Sequence, residues 1–183
     1  MDVAIVGAGG ACGRMIATHL LAERVLETHE RLQLVGRDGG ASCRSLPGLC
    51  ADLRDAFAGT CPELDVALSP EDVVADIVVI AAGRTLPVID PANPQKSLQV
   101  LPTRDDIATS NRPVFEAYSE AISRLGAGHE IILILSNPVE LGVEIFSRRL
   151  ERHRVFGIGA YSDTLRFRRE IAAELGVRRQ LVS

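Results

Sequence analysis

The chain has 183 residues (19.7 kDa), of which 46% are hydrophobic, 24% charged and 4% aromatic, with 16 Gly and 9 Pro. That length suits one ordinary domain with a real core, and the near-average composition excludes a disordered chain, a coiled coil or collagen. A net charge of -4 and a pI near 5.6 argue against a dedicated nucleic-acid partner. The charge is uneven, because residues 148–183 hold nine Arg against four Asp and Glu. This fits Arg-rich surface helices or a pull on anionic substrates. Cys12, Cys43, Cys50 and Cys61 form neither a CxxC pair nor a zinc spacing. With a mean hydropathy of +0.15 and no signal-like start, they suggest reduced thiols in a cytoplasmic protein without a metal site. No apolar run approaches the roughly 18 residues of a membrane span, so no membrane partner is expected.

In chain order, Val3-Ala4-Ile5-Val6 reads as a buried strand, followed by a glycine turn and a helix marked by Met15, Ile16, Leu20, Leu21 and Val25. Leu32 to Val35 is a second strand that stops at Gly36, and Leu49, Leu53 and Phe57 mark a second helix. Leu64 to Leu68 is a weak strand, and Asp76 to Gly83 is the strongest in the chain, apolar on both faces like a central parallel strand. Arg84 to Thr103 holds four Pro and is unusually long for an internal connection, the kind of loop used as a lid. A helix from Arg104 to Leu125, a strand over 131–135, a helix from Val139 to Leu150, a short strand over 155–158 and a helix from Ser162 to Leu175 follow. Leu181-Val182 suggests the start of another strand. This alternation predicts an α/β fold, a doubly wound parallel sheet of the Rossmann type with ligands at the carboxyl ends of its strands.

Gly7, Gly9, Gly10 and Gly13 lie between the first strand and the first helix. There, a backbone without Cβ atoms lets a pyrophosphate approach the N–H groups that open the helix. The bare motif is weak, and Cys12 stands where a strict GxGxxG has its last Gly, but the strand before it and the helix after it strengthen the reading. At the end of the second strand, where an NAD site carries Asp or Glu, the chain reads Gly36-Arg37-Asp38. A guanidinium there can pair with a 2′-phosphate, which favours NADP over NAD, with Asp38 able to serve NAD instead.

Gly7-Ala8-Gly9-Gly10-Ala11-Cys12-Gly13, the strand Asp76 to Gly83, Ser136-Asn137-Pro138-Val139 and the segment Gly157 to Arg168 together resemble the lactate/malate dehydrogenase family, with glycine spacing nearer its malate branch. The resemblance implies residues 1–158 as a dinucleotide-binding domain and 159–183 as the start of an incomplete α+β catalytic domain. It implies Asp163 orienting a catalytic His, Arg166 clamping a substrate carboxylate and Arg104 polarising the substrate carbonyl as the loop closes. Asp163 and Arg166, three apart on a helix, share a face. Asn137 would bind substrate or cofactor next to a candidate cis bond at Pro138. Gly83 and Asn111 would line the cofactor. Each polar residue also has a structural alternative: Asp163 as a helix-start carboxylate, Arg166 paired with Glu170, Arg104 and Arg37 solvated, Asn111 and Asn137 as capping or turn amides. The implied partners are a small 2-oxo or 2-hydroxy acid and, for a complete chain, further copies of it in a homo-oligomer.

Two features depart from the family. The Arg84–Thr103 segment is roughly a dozen residues longer than usual. Either Arg84 or Lys96 could be the cation that selects malate over lactate. The family's proton-transferring His lies in a motif beyond Ser183, and His19, His29, His129 and His153 are in other surroundings. Losing that group costs about 10²–10⁴-fold in rate, so this stretch of chain is expected to be inactive by itself. The competing expectations are a non-catalytic dinucleotide-binding module, a lactate-type enzyme, and an NAD-dependent glycosidase, against which Arg104 and Asp163-x-x-Arg166 argue.

Overall fold

The computed structural model of the chain describes residues 1–84 and 102–182, apart from the side chains at 41 and 42. Lys96 and most of the expected lid lie outside the described residues. The elements are β1 (Val3–Val6), α1 (Ala11–Ala22), β2 (Arg31–Val35), α2 (Ala41–Ala56), β3 (Glu63–Ala67), β4 (Ile77–Ile80), α3 (Arg104–Leu125), β5 (Ile131–Ile134), α4 (Val139–Ser147), β6 (Val155–Gly157) and α5 (Gly159–Glu174).

Six parallel strands form one sheet in the order β3-β2-β1-β4-β5-β6. Val3 pairs with Leu32 on one side and Ile77 on the other, so the chain reverses its direction of travel across the sheet at β1 and β4. A crevice opens at such a switch point because the connections after its two strands leave toward opposite faces. Both faces are covered, which is why β1 and β4 carry no polar residue. Val3, Ile5, Leu32, Leu34 and Val79 pack with Ala17, Leu21, Leu46 and Leu53 of α1 and α2. Ala4, Val6, Val78, Ile80, Ile132 and Ile134 pack with Phe115, Tyr118 and Ile122 of α3 and Ile145 and Phe146 of α4.

Several local expectations are corrected. Val25 lies beyond α1, whose last turn closes with Arg24 N–H to Leu21 O and Val25 N–H to Leu20 O, and Leu26 takes the buried position instead. Met15 points to solvent, because the buried stripe of α1 runs through Gly13, Ala17 and Leu21. Phe57 caps α2 from outside it. α4 ends at Ser147, where Arg149 and Leu150 both turn back to Phe146 O. α5 begins at Gly159, three residues before Ser162. The expected strand at Leu181-Val182 is a single 3₁₀ turn over Arg179–Leu181 with Leu181 exposed, because the Leu181 and Val182 N–H groups turn back to Arg178 O and Arg179 O.

The topology also sorts the histidines. His129, just before β5, faces Asp76 Oδ1 at 3.0 Å. Asp76 accepts the Asp2 N–H at 2.7 Å, and that bond together with His129 holds its carboxyl below the ordinary range. His153 precedes β6, His29 precedes β2, and His19 lies in the last turn of α1. Because the strands are parallel, all four sit toward the amino edge of the sheet, away from the Gly7–Gly13 turn.

Candidate functional site

At Gly7 and Gly13 the β1–α1 turn admits only backbone. Gly7 has φ +90°, and a Cβ there would lie 2.6 Å from Ala82 N at the end of β4. A Cβ on Gly13 would lie 2.3 Å from Gly7 O and 2.7 Å from Ala8 Cα. The Gly7 and Ala8 N–H groups both donate to Val35 O, and Gly10 N–H donates to Gly7 O. These bonds seat the turn against β2 and fold it back on itself. The start of α1 then stands open: its N-cap is Gly10, no side chain caps it, and no acid lies in its first turn. The first N–H groups of a helix have no acceptor within the helix and carry its positive end. By contrast α3 opens with a full capping box, Thr103 with Asp106, and a second acid, Asp105. Hydrogen bonds from Thr103, with the nearby Arg84 guanidinium, hold the Asp106 carboxyl below its ordinary range. The chain thus closes α3 with its own anions and leaves the start of α1 uncapped. The close packing at Gly7 and Gly13 keeps the turn tight against β1 and β4, and the uncapped N–H groups beyond it are of the kind that an anion such as a diphosphate accepts.

At the end of β2, Gly36 N–H donates to Ala67 O and Asp38 N–H to Leu68 O, extending the pairing with β3. Arg37 and Asp38 are exposed, and Gly40 N–H donates to Arg37 O. Beside them lies a hollow of about 340 Å³ lined by Gly39, Gly40, Cys43 and Arg44. α2, like α1, starts from a glycine, Gly40, with no side-chain cap and no acid in its first turn. A larger hollow, about 480 Å³, lies at the C-terminal ends of α1 and α2 beside Arg24 and Asp55, remote from these turns.

The ends of β4 and β5 are tied together by one side chain. Asn111 is 1% exposed. Its Oδ1 accepts Arg84 N–H at 2.6 Å, and its Nδ2 donates to Arg84 O at 3.0 Å and Asn137 O at 2.7 Å. Gly83 passes so close that a Cβ would lie 2.8 Å from the Asn111 amide. The capping-or-turn alternative is therefore partly realised, since both amide donors are engaged with main chain. Ser136 adds a second stitch, its hydroxyl donating to Ala82 O at 2.6 Å. Asn137 is exposed and precedes a cis bond to Pro138. Arg104, the first residue of α3, bonds Glu140 of α4 at 2.7 Å while both stay largely exposed.

On α5, Arg166 bonds Asp163 at 2.8 Å, three residues back, with both side chains about 70% exposed. Glu170 bonds Arg169 rather than Arg166. Exposed pairs of this kind are weak and exchange partners readily. The structure therefore brings Gly7, Gly9, Gly10, Gly13, Gly83, Asn111, Asn137 and Arg104 to the carboxyl edge, with Arg37 on its β2 side and Asp163 and Arg166 on the helix after β6. Sequence reasoning missed Ser136, Glu140 and Tyr118. Ser136 opens the motif Ser136-Asn137-Pro138-Val139, and Tyr118 falls seven residues after Asn111 on the stripe that starts at Arg104.

Comparison with known proteins places residues 1–157 in the family described as lactate/malate dehydrogenase, NAD binding domain. An L-2-hydroxycarboxylate dehydrogenase (NAD(P)(+)) from Methanocaldococcus jannaschii is 29% identical over 97% of this chain and 53% of its own length. A malate dehydrogenase from Methanothermobacter thermautotrophicus is 32% identical over 97% of this chain and 50% of its own. Among solved structures, malate dehydrogenase from Naegleria fowleri matches with a TM-score of 0.76 at 20% identity, over 98% of this chain and 52% of that one. Trichomonas vaginalis lactate dehydrogenase in complex with NADH and oxamate matches with a TM-score of 0.76 at 21% identity, over 98% and 51%. The chain spans about half the length of the relatives it matches. No helix among the described residues is long and apolar enough to cross a membrane.

Proposed function

The chain belongs to the lactate/malate dehydrogenase family, and on that premise we propose that it is the cofactor-binding part of a 2-hydroxy-acid dehydrogenase, with malate and oxaloacetate as the preferred pair. The observation that carries this reading is the uncapped, acid-free start of α1 behind a turn that admits no Cβ at Gly7 or Gly13. When bound, a nicotinamide ring supplies the hydride donor and acceptor. Gly7 and Gly10, whose N–H groups are bonded to Val35 O and Gly7 O, shape the turn, and the main-chain N–H groups of Gly9 and of the open start of α1 through Gly13 hold the diphosphate. Asn111 acts on the cofactor through the loops it fixes, Gly83–Arg84 and Asn137, since its own donors are engaged. Arg104 is released from Glu140 to polarise the substrate carbonyl. Arg166 exchanges Asp163 for a substrate carboxylate, bound by two parallel hydrogen bonds. Asp163 is then free to orient an imidazole. That imidazole comes from outside these 183 residues, because the four histidines here lie toward the other edge of the sheet. We draw the boundary between the two domains at 158/159, and we place the protein in the cytoplasm as a homo-oligomer.

For the cofactor we favour NADP over NAD. Arg37 is exposed where an NAD site carries an acid, α2 beside it is uncapped, and the M. jannaschii relative's name carries NAD(P)(+). Arg37→Ala is expected to weaken NADP binding about 10-fold or more by calorimetry and NAD binding less than twofold, the loss of one charge-assisted contact. Equal weakening of both would remove Arg37 from this role.

A further inference from the structure

Tyr118 is buried, 7% exposed, on the face of α3 that packs against the sheet. It follows Arg104 and Asn111 at seven-residue intervals, two helical turns each, so the three side chains leave the same stripe of the helix. Arg104 meets Glu140 in the first turn of α4, and Asn111 meets the loops after β4 and β5. Tyr118 reaches further across, to the end of β2, where its hydroxyl donates to Gly36 O at 3.2 Å. The two residues are 82 apart in sequence.

That bond acts on one peptide plane. The Gly36 carbonyl and the Arg37 N–H share a rigid plane, and its tilt sets the direction in which the Arg37 side chain leaves the backbone. Gly36 has no side chain to restrain the plane. Its N–H is committed to Ala67 O, which fixes the preceding plane only. Beyond Arg37, the Asp38 and Gly40 N–H groups are bonded to Leu68 O and Arg37 O. The bond from Tyr118 therefore fixes the one plane between β2 and Arg37. Burial pushes the phenol up to about 12, with Glu71 raising it and Arg37 lowering it, so the hydroxyl remains a donor across the working pH range.

We infer that Tyr118 is a positioning residue for cofactor choice: by holding the Gly36 carbonyl, it presets Arg37 to receive the 2′-phosphate of a phosphorylated adenosine ribose. This rests on the proposed role of Arg37. Tyr118 touches neither the cofactor nor the substrate, and its effect falls on the ratio of the two affinities. A tyrosine serving only the core would alter stability and leave that ratio unchanged.

The test is calorimetric titration of the 183-residue chain and its Tyr118→Phe and Arg37→Ala variants with 2′-phospho-ADP-ribose and with ADP-ribose, beside thermal melts. Tyr118→Phe keeps the ring and removes the hydroxyl. The expected result is a preference for the 2′-phosphorylated ligand reduced about 3- to 10-fold, the effect of one hydrogen bond, with ADP-ribose affinity unchanged. An unchanged ratio in Tyr118→Phe, with the ratio abolished in Arg37→Ala, overturns the role of Tyr118 and leaves that of Arg37 standing. An unchanged ratio in Arg37→Ala overturns both. Should Tyr118→Phe fail to fold, fluorotyrosine-labelled chain decides the matter, since Tyr118 and Tyr161 are the two tyrosines and Tyr161→Phe assigns the resonances. The Tyr118 fluorine signal is expected to move with 2′-phospho-ADP-ribose and stay in place with ADP-ribose. The same response to both ligands contradicts the inference.

Discussion

Gly13→Ala is expected to abolish measurable dinucleotide binding and to lower the melting temperature by about 5–10 °C. The added methyl would sit 2.3 Å from Gly7 O and 2.7 Å from Ala8 Cα, both backbone atoms that no rotamer change can move aside. Relief requires α1 to lift from the β1 turn. The Gly7 and Ala8 N–H groups are bonded to Val35 O, so lifting the turn also strains the β1–β2 edge. Overpacking of this kind costs about 1–3 kcal/mol, and a backbone collision belongs at the top of that range. For a chain of this size about 3 kcal/mol corresponds to the stated fall in melting temperature. Binding suffers more, because the N–H groups that would hold the diphosphate are the ones displaced. Gly10→Ala is the control for stability: its Cβ would meet only Gly7 O, at 3.3 Å, and its φ of -80° suits any residue. It should melt within about 2 °C of the parent chain. If Gly13→Ala binds NADP as tightly as the parent, the cradle is misassigned.

Asn111→Ala is expected to cost about 2–4 kcal/mol in urea unfolding and to weaken dinucleotide binding about 10-fold. Three hydrogen bonds disappear at a site that is 1% exposed, each worth about 1 kcal/mol net, and the main-chain groups of Arg84 and Asn137 lose their partner. The loops after β4 and β5 lose the shared anchor that holds Gly83, Arg84 and Asn137 at the crevice. Asn111→Asp separates geometry from hydrogen bonding. It keeps the shape and an acceptor for the Arg84 N–H, but turns a carboxylate toward two carbonyl oxygens. Such a group is easier to protonate when folded than unfolded, so it penalises the fold above its ordinary pKa, and lowering the pH relieves the penalty. The variant should therefore be at least as unstable as Asn111→Ala at pH 7 and regain part of the loss by about pH 5. Stability and binding both unchanged in Asn111→Ala would show that Ser136, bonded to Ala82 O and Ile80 O, suffices to set these loops.

The sheet was legible in the sequence because its strands are buried on both faces. Val3 to Val6 and Ile77 to Ile80 are apolar throughout, as cover from two sides requires, and the glycine turn between β1 and α1 announces its conformation through the absence of side chains. Helix ends were less legible. α1 closes before Val25 and α4 before Leu150 because the closing bonds are main chain to main chain, which residue type barely signals. The candidate site was legible where the backbone demands one residue type, as at Gly7 and Gly13. It was not legible where a residue acts through a distant partner. Nothing in the sequence pairs Tyr118 with Gly36, or Arg104 with Glu140, and only the packing of α3 and α4 against the sheet brings them together. Asn111 shows the middle case. Its position was found through the family resemblance, but its bonds to main chain on two loops, 26 and 27 residues away, follow from topology.

The most direct measurement is calorimetric titration of the folded 183-residue chain with NADP and NAD, beside adenosine 2′,5′-bisphosphate, which lacks the diphosphate. Saturable one-to-one binding of both dinucleotides, NADP the tighter, with the bisphosphate weaker by at least about 100-fold, is the result expected if the open start of α1 receives the diphosphate. A folded chain that binds neither dinucleotide, or binds the bisphosphate as tightly as NADP, would contradict that claim.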